Sequence, residues 1–325
     1  MTITRDFLPI LKGIDLTTKR LPLLSATTNR PGPTIWLTAA IHGNEVTGTA
    51  VIQSLFKRLE QYPLEKGTLH AFPILNTSGF ETISRHDTFD EEDLNRHFGG
   101  TDQGSTTERL ASLILSHILA TKPDYLIDLH TDSMNSIAYA IVDRPATLKT
   151  TTPVLKAIDL AQTLDLAWAI DTDATAGYPL EHCLTGQLVS RGIPAITLEL
   201  GGPMVVMDEF RKTGLEAIWR FLATLKLVPG STSALPTQSP HQVYVFKEKI
   251  RTQSTGIIEY RVKPGDKITQ GKLLGKIRNV FGETIEVIRS PSTGVLFSHE
   301  DQSVTFPGQA LFTPAVASSL ESALA

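Results

Sequence analysis

Cysteine is almost missing from the 325 residues: Cys183 stands alone. No disulfide can form within the chain, and a four-cysteine zinc site is excluded. That usage fits a reducing, cytoplasmic setting. No run of about 18 apolar residues occurs, which excludes an ordinary membrane-spanning helix. The opening Met1-Thr-Ile-Thr-Arg-Asp-Phe-Leu-Pro-Ile10 lacks the basic-then-apolar order of a secretory signal. A basic excess is missing too. The formal charge is −4 with Lys and Arg scattered, which argues against a nucleic-acid surface. The Gly-Gly pairs at 99–100 and 201–202 lack the Gly-Lys-Ser/Thr ending of a phosphate loop.

What remains is an ordinary soluble composition, 41% hydrophobic and 20% charged. The length allows one large α/β domain and a smaller one, and leaves a homo-oligomer open. Short apolar runs alternate with helical periodicity up to about residue 227, which predicts an α/β domain over 1–227 with a parallel or mixed sheet flanked by helices. Residues 1–33, punctuated by four prolines, read as one or two edge strands. Strands are expected at 34–41, 69–75, 123–132, 138–142 and 195–200. Helices are expected at 46–59, 107–119, 155–164, 181–191 and 208–227. The polar stretch 77–107 is too long for a routine connection and predicts a functional or disordered loop.

Residues 228–242, rich in Pro, Ser and Thr, read as a linker. The texture beyond it, 243–325, is all-β and repetitive: Gly256 to Gly271 spans 15 positions and Gly294 to Gly308 spans 14. This half-repeat resembles the biotinyl/lipoyl-type barrel-sandwich domain. Carriers of that fold present a modifiable lysine at a hairpin tip, which here falls near Arg278 to Thr284 and holds no lysine. The module is therefore expected to be structural or to cover a site.

The chemistry gathers at strand ends. Thr34-Ile-Trp-Leu-Thr-Ala-Ala-Ile41 runs into His42-Gly-Asn-Glu45, placing a nitrogen and an oxygen ligand where ligands collect in open α/β sheets. Tyr125-Leu-Ile-Asp-Leu ends in His130, 85 positions after Glu45. Two histidines and one carboxylate are the protein ligands of a hydrolytic zinc with an open position. Asp128 shares a strand face with His130 and is a candidate to support it or to contact substrate. Glu199, inside Ala195-Ile-Thr-Leu-Glu-Leu200, is costly to bury unless it has a task, and a general base is one. In the long loop, Arg85, Asn95 and Arg96 are candidates to grip an anion. The acidic run Asp90-Glu-Glu-Asp93 reads as a solvated face. His86 and His97 flank the loop, and His70 and His117 read as structural. Cys183 has no paired motif that would make it a nucleophile.

His42-Gly-Asn-Glu45, Asp93-Leu-Asn-Arg96, Asp128-Leu-His130 and Thr197-Leu-Glu-Leu-Gly201 together resemble the motifs of the succinylglutamate desuccinylase/aspartoacylase family, a branch of the zinc carboxypeptidase fold. The resemblance spans about residues 30–225. It implies one Zn2+ per chain on His42, Glu45 and His130, with Glu199 as the catalytic carboxylate. It also implies that Asn95 and Arg96 bind a substrate carboxylate, and that an arginine, here Arg85, polarises the scissile carbonyl. Tyr178 and Tyr244 are candidates for a further substrate contact. The expected activity is amide hydrolysis of a small anionic N-acyl amino acid. A carboxypeptidase acting on short peptides and a non-enzymatic binding module are the competing expectations.

Overall fold

The computed structural model describes residues 1–12, 16–132, 135–148, 151–230 and 242–324. In chain order the first part holds β1 (Thr2–Lys12), β2 (Thr18–Thr27), β3 (Thr34–Ala39), α1 (Thr47–Gln61), β4 (Thr68–Phe72), α2 (Thr77–Thr82) and α3 (Thr106–Ala120). It continues with β5 (Tyr125–His130), β6 (Asn135–Ser136), β7 (Ala138–Arg144), α4 (Thr152–Thr163), β8 (Ala167–Thr172), α5 (Asp173–Ala176), α6 (Leu184–Ser190), β9 (Ala195–Leu200) and α7 (Asp208–Thr224). Beyond residue 242 come β10 (Val243–Phe246), β11 (Ile250–Arg251), β12 (Gly256–Tyr260), β13 (Lys267–Ile268), β14 (Leu273–Arg278), β15 (Thr284–Arg289), β16 (Gly294–His299), β17 (Val304–Thr305), β18 (Ala310–Ser318) and α8 (Leu320–Leu324). Among the described residues no helix is long and apolar enough to cross a membrane.

Twelve of these strands run in the order β1-β2-β4-β3-β5-β9-β7-β8-β10-β18-β16-β13 through one mixed sheet. Its centre, β4, β3, β5 and β9, is parallel. Such strands are covered on both faces and therefore read as near-continuous apolar runs. Ile35, Trp36 and Leu37 of β3 are wholly buried. Helices supply the cover: Val51, Ile52, Leu55, Phe56 and Leu59 recur at helical spacing on α1 and face the core. Because β3, β5 and β9 are parallel, their carboxyl ends share one edge of the sheet.

β7 runs antiparallel beside β9, which sets Tyr139 opposite Glu199. β8 runs parallel to β7, with Asp143 opposite Asp171. Strand β8 was not anticipated. The expected linker falls mostly on 231–241, outside the described residues. Immediately after it, β10 joins β8 in parallel and β18 antiparallel, so the large sheet continues into the C-terminal strands.

A second, antiparallel sheet, β15-β14-β12-β17, closes a separate small core around Ile258, Leu274, Ile277 and Leu296. The two repeat glycines have the same reason to be glycine. A Cβ on Gly256 would meet the Arg278 carbonyl oxygen at 2.5 Å, and one on Gly294 the Ala315 carbonyl oxygen at 2.3 Å.

The stretch 77–107 is stitched down rather than free. It contains α2 and one 3-10 turn at Leu94–Arg96. The acidic run within it corrects the solvated-face reading. Asp90 accepts from the Thr107 amide and hydroxyl at the start of α3 (2.8 and 2.7 Å), and Glu92 accepts from Ser105. Carboxylates at a helix start satisfy amides that have no intrahelical partner.

Gly43 sits where the backbone of α2 presses on the His42–Glu45 turn. A Cβ there would meet Gly79 C at 2.0 Å and Phe80 N at 2.2 Å. Backbone cannot yield as a flexible side chain does. Gly43→Ala is therefore expected to cost about 1–3 kcal/mol of stability by overpacking, read as a lower thermal midpoint. An unchanged midpoint would contradict the close approach.

Candidate metal centre and active-site cavity

The chain leaves β3 through Ala40, whose backbone is left-handed at φ +50°. For a residue with a Cβ that costs about 1 kcal/mol, and the Asn76 amide holds it there through a 2.9 Å bond to the Ala40 carbonyl. His42 follows. A turn in which the Glu45 amide donates to the His42 carbonyl (3.0 Å) folds Glu45 back toward the imidazole. β5 delivers His130 at its last position, and β9, in register with it, sets Glu199 alongside. His42, Glu45 and His130 are 3–4% exposed, and one ligand atom from each lies within 4.8 Å of the others.

The distances decide which nitrogen points where. His42 Nδ1 is 2.6 Å from Glu45 Oε1, and His130 Nδ1 is 3.0 Å from Glu45 Oε2. Both Nε2 atoms face outward to other carboxylates: His42 Nε2 to Asp93 Oδ1 at 3.1 Å, and His130 Nε2 to Asp128 Oδ2 at 2.8 Å. A carboxylate on the second ring nitrogen is how proteins orient a metal-binding imidazole. These supports are themselves held. The Thr38 hydroxyl donates to Asp128 Oδ1 (2.6 Å), and Arg85 Nε and Nη2 donate to Asp93 Oδ2 (3.2 and 3.0 Å).

The charges follow from this packing. Burial opposes ionisation of Glu45, but His42 and His130 outweigh it and hold its carboxyl well below the usual range. Asp93, partly buried, is lowered against that burial by His42 and by the two arginines. Glu199 goes the other way. Burial pushes it well above the usual range, against a pull from His130, and Glu45 and Asp132 add to the rise. Its Oε2 is buried with no hydrogen-bond partner. Two Nδ1 atoms and a carboxylate in mutual reach, with an orphaned acid oxygen on the adjacent strand, are the donor set of an open zinc site. The residues fit the ion.

The cluster opens into a cavity of about 620 Å³. Arg85, Asn95, Arg96 and Tyr178 are on its wall. Arg85 spends two nitrogens on Asp93, while Nη1 lies 3.5 Å from Glu45 Oε1. Asn95 Oδ1 accepts the Leu184 amide (3.0 Å), and its Nδ2 has no hydrogen-bond partner among the described residues. The Arg96 guanidinium lies 3.5 Å over the Tyr178 ring and makes no ion pair among the described residues. Asp128, 1% exposed, bonds His130 and Thr38 and is not among the residues that line the cavity. Tyr244 is off the wall too, packed on Phe297 at 5.1 Å. His97 is turned to the Asp93 carbonyl (2.8 Å), and His70 bonds Ser25 and stacks on Trp36. Cys183 lines the cavity, but burial pushes its thiol up, away from the reactive thiolate.

Several residues around the site were not singled out from the sequence. Asp93 was hidden in an acidic run, although it opens the Asp93-Leu-Asn-Arg96 motif. Tyr139, whose hydroxyl donates to Asp132 (2.9 Å), gave no signal. Nor did Asp143, Asp171 or the segment from Phe246 to Lys249.

A family model for the succinylglutamate desuccinylase/aspartoacylase catalytic domain matches residues 31–225. The chain belongs to this family. One relative is the N-alpha-acetyl-L-2,4-diaminobutyric acid deacetylase of Halomonas elongata. It is 26% identical over 276 residues, covering 82% of this chain and 77% of that protein. Among solved structures, the product-bound ectoine utilization protein EutE (DoeB) from Ruegeria pomeroyi superposes with a TM-score of 0.83 at 20% identity, over 97% of this chain and 95% of that one. A succinylglutamate desuccinylase/aspartoacylase from Rhodobacter sphaeroides gives 0.83 at 21%, over 97% and 96%. A metallo-carboxypeptidase from Burkholderia cenocepacia gives 0.52 at 16%, over 68% and 65%. These likenesses concern the fold, which is the carboxypeptidase-like mixed α/β architecture expected, followed by a small all-β unit.

The role of Asp93 is open to direct measurement. Asp93→Asn keeps an acceptor for the Asn95 amide but removes the charge from behind His42. Metal affinity is expected to fall about 10- to 100-fold, read by chelator competition, with the far-UV circular dichroism unchanged. Unaltered affinity would remove Asp93 from the site.

Proposed function

We propose that this protein is a zinc-dependent deacylase that hydrolyses the amide bond of a small, carboxylate-bearing N-acyl amino acid. Zinc, one ion per chain, is held by Nδ1 of His42, Nδ1 of His130 and the Glu45 carboxylate. The observation that carries this reading is Glu199. Its raised carboxyl has a buried, unpartnered Oε2 on the strand beside His130 and on the wall of the same cavity. A buried acid without a partner is expensive, and strongly shifted acids in clefts are where general bases are found. The Halomonas elongata relative is by name a deacetylase of an acetylated amino acid, which supports a small acyl group.

Zinc in such a set supplies Lewis acidity to the attacking water and the acyl oxygen. Glu199 takes a proton from that water and returns it to the leaving nitrogen, the two halves of general acid–base catalysis. Arg96, kept planar over Tyr178 and without an ion pair among the described residues, receives the substrate carboxylate as a guanidinium fork, with Asn95 Nδ2 as a second donor. Arg85 Nη1, the nitrogen not given to Asp93, is the donor for the developing oxyanion. A donor of that kind is typically worth about 3 kcal/mol. The single, buried cysteine suits a cytoplasmic location. Removal of a C-terminal residue from a short peptide is the second reading, favoured by the carboxypeptidase-like fold.

A panel of acetylated and succinylated amino acids beside short peptides separates the two. Glu199→Gln is expected to keep its zinc and lose about 100- to 10,000-fold in kcat on the best substrate. A fully active Glu199→Gln enzyme would sink the assigned role.

A further inference from the structure

Away from the ligand cluster, the cavity wall carries two acids that amide hydrolysis does not use. Tyr139, Ile141 and Asp143 line the cavity from one face of β7. With Tyr139 opposite Glu199, Asp143 lies four residues further on, roughly 13 Å along the strand. Asp171 stands opposite it on β8. Asp143 is only 5% exposed. One of its oxygens accepts the Thr185 hydroxyl, and the other, Oδ1, has no partner among the described residues. Asp171 Oδ1 accepts from the Thr172 amide and the Thr175 hydroxyl, and its Oδ2 is likewise unpartnered. No Lys, Arg or His nitrogen among the described residues comes within ion-pair distance of either carboxylate. Lys249 and Arg96 draw on Asp171 from further off, and His130 draws on Asp143.

Two acids on adjacent strands, both lining the cavity and neither in ion-pair contact with a cation among the described residues, are poorly compensated. Burial accordingly pushes Asp143 up to about 7 and raises Asp171 as well. A second metal does not explain them, since the only group of three metal-ligating side chains in mutual reach, among the described residues, is the His42/Glu45/His130 set. An ammonium or guanidinium group does, because it offers several N–H donors and a full positive charge to oxygens that lack both.

We infer that Asp143 and Asp171 form a subsite for a cation at the end of the substrate side chain, so that the amino acid released is a basic one. The inference rests on the deacylase reading. Arg96 and Asn95 take the carboxylate at one side of the scissile bond, and the acid pair takes the side chain. The separation from Glu199 calls for several atoms between the scissile nitrogen and the cation. The substrate is then a zwitterion apart from its acyl group, not a plain anion.

Binding of the free amino acids to the zinc-loaded protein tests this apart from turnover. Titration calorimetry with lysine, ornithine, 2,4-diaminobutyrate, norleucine and glutamate should give the tightest binding to a cationic member, at least about tenfold over norleucine. Asp143→Asn should abolish that margin while moving norleucine less than twofold, with a smaller loss in Asp171→Asn. The first of these variants also carries its own folding control. The wild-type acid, at about 7 folded against 3.8 unfolded, loses stability as pH rises between those values. Asp143→Asn should therefore be the more stable protein at pH 8 and equal to wild type near pH 3. Norleucine matching every cationic amino acid, or Asp143→Asn weakening all ligands alike, would overturn the subsite. Cationic preference without hydrolysis of any N-acetyl derivative would keep the subsite and reject the deacylase.

Discussion

Glu45 Oε1 lies 2.6 Å from His42 Nδ1 and Glu45 Oε2 lies 3.0 Å from His130 Nδ1, all in a nearly solvent-free pocket. Around this triangle sit Asp93, Asp128 and Glu199, so four carboxylates surround two imidazoles. Such a set is stable only if cations offset the negative charge, because ionised groups taken from water cost several kcal/mol each. A proton on His130, whose affinity for it Asp128 and Glu45 raise, offsets part of it, and Glu199 stays high. A divalent ion on the inward-facing atoms would offset the remaining charge. The left-handed Ala40, the backbone contact of Gly43 with α2 and the parallel register of β3, β5 and β9 hold those atoms in place.

Much of this was legible because parallel strands in the middle of a sheet leave a plain trace. Ile35 to Ala39, Leu126 to Leu129 and Ala195 to Leu198 are largely apolar runs, so a polar residue at the end of one stands out. His42, His130 and Glu199 were found that way. Asp93 was not, because Asp90, Glu92 and Asp93 look alike in sequence while doing different things. Asp90 and Glu92 fasten the loop to the start of α3, and Asp93 backs His42.

The wall formed by β7 and β8 was hidden for a different reason. Leu164-Asp-Leu-Ala-Trp-Ala-Ile170 continues the apolar texture of α4, and a short run of that kind suits a helix end as well as a strand. With β8 unrecognised, Asp171 had no address. Asp143 falls just past the strand expected at 138–142, and Thr185 of α6 bonds it. The segment after Phe246 reaches the cavity only because β10 adds to β8, a pairing between residues more than seventy positions apart that no local pattern encodes.

The site also illustrates where a fold of this class places its instability. The unpartnered oxygen of Glu199, the uncompensated Asp143 and the strained Ala40 are all at the cavity or on its threshold. Apolar helices and central strands elsewhere in the sheet supply the stability that tolerates them. The most direct check of the central claim is X-ray absorption spectroscopy of the protein loaded with one equivalent of zinc. The account predicts a single tightly held ion with nitrogen and oxygen neighbours at about 2.0–2.2 Å, including two imidazoles. A spectrum of zinc in water alone, or with a sulfur neighbour, would contradict it.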